Sequence, residues 1–150
     1  MFPISKQMAS KAEKFHKPAT SKVDILMGIS GTDQDDVIAE AEALGYAHLF
    51  EGRIFGAVGD VNVEAKRDVL ERIFREHALN GTSVVVFGDG PVEMREARKH
   101  ECLGVGIASD EIRRFGPNPP KRARLIRAGA DIIIPDFCQW RQLAKRLSLF

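Results

Sequence analysis

The sequence predicts an α/β fold on a mainly parallel sheet, and two patterns predict it. Short apolar, partly β-branched runs alternate with amphipathic helical stretches, and several of those runs end in a turn that opens a helix. Parallel strands need helical crossovers that cover both faces, which gives a three-layer, Rossmann-like arrangement. Size and composition agree. A chain of 150 residues, 44% hydrophobic and 29% charged, can bury a core without metal or disulfide help and does not read as disordered, collagen-like or coiled-coil.

Taken in order, the run VDILMGI at 23–29 reads as a buried strand ending in the turn-like SGTD. Thr32 then opens a helix, paired with Asp35 as in a capping box, with Val37, Ile38, Ala41 and Leu44 as its apolar stripe and Gly45 as its stop. HLF and RIFGAV, separated by Glu51 and Gly52, read as a short hairpin or strand pair. The segment 62–78 reads as a long amphipathic helix with Val63, Val69, Leu70, Ile73 and Phe74 inward, closed by Asn80 and Gly81. Residues 83–87 form the clearest strand, and PVEMREARKHE a helix with Pro91 and Glu93 in its first turn. A strand at 103–108 follows, then a proline-rich loop, the helix KRARLIRAG, a strand at 131–134 and a helix at 139–147.

The net charge of +1 offers no global attraction for nucleic acid or an acidic membrane. Locally, Lys6, Lys11, Lys14, Lys17 and Lys22 against Glu13 make 1–22 basic by +4, leaving −3 beyond. Ile4, Met8, Ala12 and Phe15 share one helical face, so 1–22 is expected as a basic helical stub and 23–150 as the core. Cys102 and Cys138 have neither CxxC nor paired histidine spacing, which argues against zinc or a disulfide framework and for reduced, cytoplasmic thiols. No apolar run approaches the ~20 residues that cross a bilayer.

In parallel sheets ligands bind beyond the carboxyl ends of the strands, so the strand ends are where chemistry is expected. Asp89, between two glycines in GDGPVE, leaves the sheet as a hard oxygen ligand suited to Mg²⁺, and Glu93 could hold a metal-bound water or orient a lysine. Both could equally be helix-capping acids. Ser30, Gly31 and Thr32 make an anion site or an ordinary cap. Lys66 opposes its helix dipole and could reach a phosphate, or could pair with Glu64, Asp68 or Glu71. A dinucleotide site using GDG and Asp110 is disfavoured, because Glu93 stands where a small residue is needed. His16, His48, His77 and His100 show no ligand spacing, with His77 and His100 read as helix C-terminal residues. The basic residues Arg113, Arg114, Lys121, Arg122, Arg124 and Arg127 could touch phosphate or nucleic acid but, with no aromatic platform beside them, read as a solvated face.

The ordered set ISGT, Lys66 and GDGPVE resembles the later motifs of the haloacid dehalogenase superfamily of phosphatases. The wording of TDQDDVIAEAEALGYAHLFEGRIFGA, VVVFGDGPVE and GADIIIPDF is similar to its bacterial phosphoglycolate-phosphatase-like members. The resemblance implies that Ser30, with Gly31 and Thr32, binds the transferring phosphoryl group and that Lys66 neutralises it. It also implies that Asp89 binds Mg²⁺ with Glu93 in support, and that the substrate is a small phosphorylated metabolite hydrolysed through an aspartyl-phosphate. The family's opening strand, ending in DxDxT with the nucleophilic aspartate, has no counterpart before Val23, and Asp24, Asp33, Asp35 and Asp36 are misplaced for the role. The expectation is therefore a core lacking its central first strand and most of the cap, weak or inactive alone. The alternative is a non-catalytic phosphate-binding or strand-complementation module that needs a partner chain or a second copy.

Overall fold

Two compact units make up the chain, Met1–Ala65 with Phe137–Phe150, and Lys66–Asp136. The computed structural model describes residues 26–59 and 64–147. The expected helical stub at 1–22 and the start of the first strand lie outside the described residues.

In the first unit, β1 (Gly28–Asp33) runs parallel to β2 (Ile54–Ala57), and α1 (Gln34–Ala43) crosses between them. Gly28 pairs with Ile54 and Ile29 with Phe55, but the next pair is Asp33 with Ala57, so β1 bulges across Ser30, Gly31 and Thr32. This corrects the expected turn at SGTD: the strand continues through it to Asp33. The cap changes with it. Asp33, not Thr32, caps α1, its carboxylate accepting from Asp35 N at 3.0 Å, because a carboxylate one residue before the helix reaches the orphan N–H directly. Gln34, the first helical residue, donates from Nε2 to Ile54 O at 2.8 Å and accepts from Gly56 N at 2.7 Å, imitating a strand neighbour for β2.

The expected strand at HLF is instead a 3-10 turn, Ala47–Phe50. Its geometry turns Leu49 and Phe50 inward to join Val37, Ala41, Tyr46 and Ile54 in one core, with Tyr46 edge-on to Phe50 at 6.1 Å. No hairpin therefore precedes β2; the parallel crossover from β1 supplies its partner. α5 (Trp140–Arg146) belongs to the same unit and buries Leu143 and Ala144.

The second unit carries β3 (Val85–Gly88), β4 (Leu103–Ile107) and β5 (Ile132–Ile134), paired in that order and all parallel. α2 (Ala65–Glu76) supplies buried Val69, Leu70, Ile73 and Phe74, while Val63 lies outside the described residues. It stops earlier than expected, with Ala78 in the left-handed region. Asn80 instead caps the 3-10 turn Gly81–Ser83, accepting from Thr82 N. α3 (Pro91–Lys99) and α4 (Pro119–Ala128) are the crossovers, with Met94, Ala108, Leu125 and Ala128 forming one cluster and Phe74, Ala97 and Cys102 another. α4 begins two residues before the expected KRARLIRAG, because the Asn118 side chain caps it by accepting from Lys121 N and both prolines fit the first turn.

Candidate functional site

At the carboxyl end of β3 the chain turns through Gly88, Asp89 and Gly90, and α3 starts at Pro91. Gly90 has no side chain with which to cap α3, and Glu93, in the first turn, folds back over the loop. A Cβ on Gly88 would stand 2.5 Å from Glu93 Cβ, and one on Gly90 would stand 2.8 Å from Glu93 Oε2. The two glycines are thus what lets a buried carboxylate lie against the loop that carries Asp89.

Lys66, at the start of α2, donates from Nζ to Glu93 Oε1 at 2.6 Å. None of the three neighbours suggested by spacing supplies this partner: Asp68 pairs with Arg67, and Glu71 with Lys99. Glu93 is the better partner because it is mostly buried, so its charge has little water to solvate it and gains most from an ammonium. Its second oxygen, Oε2, is buried without a hydrogen-bond partner.

Ser30, Gly31 and Thr32 lie in the bulge of β1, in the first unit. Ser30 is buried, and its Oγ accepts from Thr32 N at 3.1 Å. Lys66, Asp89 and Glu93 belong to the second unit, where Lys66 meets Glu93 and Glu93 lies against the glycines that flank Asp89.

Sequence reasoning missed Lys121. Within the basic run expected to be solvated, Arg114, Arg122, Arg124 and Arg127 are exposed, but Lys121 is only 9% exposed. Its Nζ lies 2.8 Å from Glu111 Oε1, 3.4 Å from Ser109 Oγ and 3.4 Å from Asp89 Oδ2. A signal existed: Asn118-Pro-Pro-Lys sets Lys121 in the first turn of a helix, where a cation opposes the dipole, the argument that singled out Lys66.

Asp110 is committed elsewhere. Its Oδ1 accepts from Ile112 N and Arg113 N and its Oδ2 from Arg113 Nε, which leaves it badly placed for a ribose. The Arg113 backbone N–H and guanidinium hold this carboxyl below the usual aspartate range. His100 stacks on Phe74 at 4.1 Å, a packing role. A shallow cleft lined by Arg98, Glu101, Cys102, Gly129 and Asp131 lies at the amino ends of β4 and β5, away from Asp89.

Among the described residues no three His, Cys, Asp or Glu side chains cluster as a metal site, and no helix is long and apolar enough to cross a membrane.

No protein-family model and no curated protein sequence matches the chain. Solved structures do. One, described as a haloacid dehalogenase-like hydrolase from Streptococcus pneumoniae, is 21% identical with a TM-score of 0.68, over 97% of this chain and 59% of its own. A haloacid dehalogenase-like protein of unknown function from Agrobacterium tumefaciens is 19% identical, TM-score 0.64, over 80% and 53%. A predicted phosphoglycolate phosphatase from Haemophilus somnus is 16% identical, TM-score 0.63, over 95% and 56%. The chain therefore has the haloacid dehalogenase-like fold, and it spans between about half and three fifths of the length of these structures.

Proposed function

We propose that this chain carries the phosphoryl- and cation-binding residues of a haloacid-dehalogenase-type phosphatase for small phosphomonoesters, and that by itself it turns over little or nothing. The observation that supports this reading is the Lys66 and Glu93 pair, seated on the glycine loop that presents Asp89, in a fold shared with haloacid dehalogenase-like proteins. Lys66 would neutralise a bound phosphoryl group, and the buried Glu93 carboxylate would keep its ammonium in one place. The resemblance gives the Ser30 hydroxyl, in the first unit, a phosphoryl hydrogen bond.

Asp89 and Glu93 fit a hard divalent cation in kind. Both are carboxylates, and one of the Glu93 oxygens is buried with its hydrogen-bonding capacity unused. Asp89 would hold Mg²⁺, with Glu93 in support. When bound, the ion supplies charge stabilisation to the phosphoryl oxygens.

The covalent step needs a carboxylate nucleophile, and the 150 residues contain no DxDxT strand end to supply one. Incubating the full chain with p-nitrophenyl phosphate and Mg²⁺ tests this: negligible phosphate release is expected. Steady turnover that disappears in Asp89→Asn would overturn it. The missing nucleophile also favours a second reading, a non-catalytic phosphate-binding or strand-complementation module acting with a partner chain. Native mass spectrometry separates the two, and a strictly monomeric, folded chain that ignores phosphate and Mg²⁺ counts against the module. The spacing of Cys102 and Cys138, which fits neither a zinc site nor a disulfide framework, supports a cytoplasmic setting.

A further inference from the structure

Lys121 is the least expected charge in the second unit. It is a buried lysine on the first turn of α4, and its ammonium reaches three acceptors carried by two different strand ends: Asp89 after β3, and Ser109 and Glu111 after β4. A buried ammonium is retained only where its charge and its three donors are answered. The three contacts are unequal. Glu111 is hydrogen-bonded at 2.8 Å, whereas Asp89 is an ion-pair contact at 3.4 Å. Asp89 and Glu111 are both partly exposed, with side chains 39% and 42% accessible. Two carboxylates thus compete for this ammonium, so Asp89 does not hold it alone.

We infer that Lys121 is a resident counter-ion of Asp89 that a divalent cation must displace, and that Glu111 holds the ammonium once Asp89 is given up. The inference rests on the reading of Asp89 as a cation ligand. Its physical basis is competition. In the absence of a divalent ion the ammonium shields Asp89, whose loop lies against the buried Glu93 carboxylate. When an ion approaches, the shorter bond to Glu111 lets Lys121 withdraw from Asp89 without becoming an unpaired buried charge. Lys121 is thus a positioning residue and touches no reacting atom.

The test is calorimetric titration of Mg²⁺ into the full chain, with folding of each variant checked by circular dichroism. Lys121→Gln should bind Mg²⁺ about two- to fivefold more tightly than the unaltered chain, the range expected for losing one partly exposed ion-pair competitor. Arg122→Gln, which removes the same charge from an exposed neighbour on the same helix, should change affinity far less. Glu111→Gln should weaken binding, because Lys121 is then left to Asp89. In the Lys121→Gln background that same substitution should have little effect. Asp89→Asn should abolish binding throughout.

Several results would overturn the inference: Mg²⁺ affinity unchanged or weakened by Lys121→Gln, an equal gain from Arg122→Gln, or an undiminished Glu111→Gln effect in the double variant. Each of these leaves Mg²⁺ binding to the unaltered chain intact, and so leaves the cation reading of Asp89 standing. If no variant binds Mg²⁺, Lys121→Gln included, both the inference and that reading fall.

Discussion

A thiolate, not a thiol, is the reactive form of cysteine, so burial decides which of the two cysteines can be modified. Cys102 packs with Phe74 and Ala97, and burial pushes its thiol up to about 11. Cys138 is exposed. Iodoacetamide at pH 8 should therefore modify Cys138 in the native protein and reach Cys102 only after unfolding, with peptide mass spectrometry as the readout; equal labelling of both would contradict the packing. A charged residue offers a second check. Asp110 has its carboxyl held below the usual range by Arg113. A depressed folded-state value means that stabilisation is complete above the unfolded aspartate range and is lost as pH falls through the folded value. Melting temperature between pH 6 and 2 should accordingly fall more steeply in the unaltered chain than in Asp110→Asn, the difference developing below about pH 4. Parallel profiles would show that the Asp110 contacts add nothing to the loop.

Elements depend on a few positions where no side chain fits. Gly81, at the start of the 3-10 turn leading into β3, is buried, and a Cβ there would stand 1.6 Å from the carbonyl oxygen of His100. That obstacle is backbone, at the turn between α3 and β4, so it cannot rotate away. Gly81→Ala should therefore cost about 3 kcal/mol, the upper end for overpacking, measurable by urea denaturation. A loss below about 1 kcal/mol would mean the two segments separate easily. The same position shows where pattern reading reaches its limit. Asn80 and Gly81 look like a helix stop because that pair commonly is one, yet α2 ends before Ala78 and the pair serves the next turn. α1, α3 and α4 were legible from apolar spacing, first-turn Pro91 and Glu93 and the stops at Gly45 and Gly129, which are local, while the side-chain caps Asp33 and Asn118 were not. HLF was not, because three apolar residues serve a strand and a 3-10 turn equally well and only the core around Val37 and Ile54 decides.

Across the whole molecule, the parts of the site that were readable in sequence are those set by a few consecutive residues. GDGPVE places Asp89 on a loop and Glu93 on a first turn whatever surrounds them, whereas the partner of Lys66 lies 27 positions away, beyond the near neighbours Glu64, Asp68 and Glu71 that spacing offers as the alternative to a phosphate. Lys121 was hidden for the same reason, since its partners come from the ends of two strands. Charge, by contrast, is fully readable and carries a consequence of its own. The chain is balanced to +1 with a pI near 7.8, and the balance joins a +4 segment at 1–22 to a remainder of −3. Proteins repel one another least where net charge vanishes, so solubility in polyethylene glycol should be lowest close to pH 7.8 and rise to either side. Deleting 1–22 leaves the −3 remainder, and its minimum should move below pH 7. Were the minimum to stay where it was after the deletion, the basic segment would not be contributing its charge to the surface that neighbouring molecules meet, and net charge would not govern association of this protein.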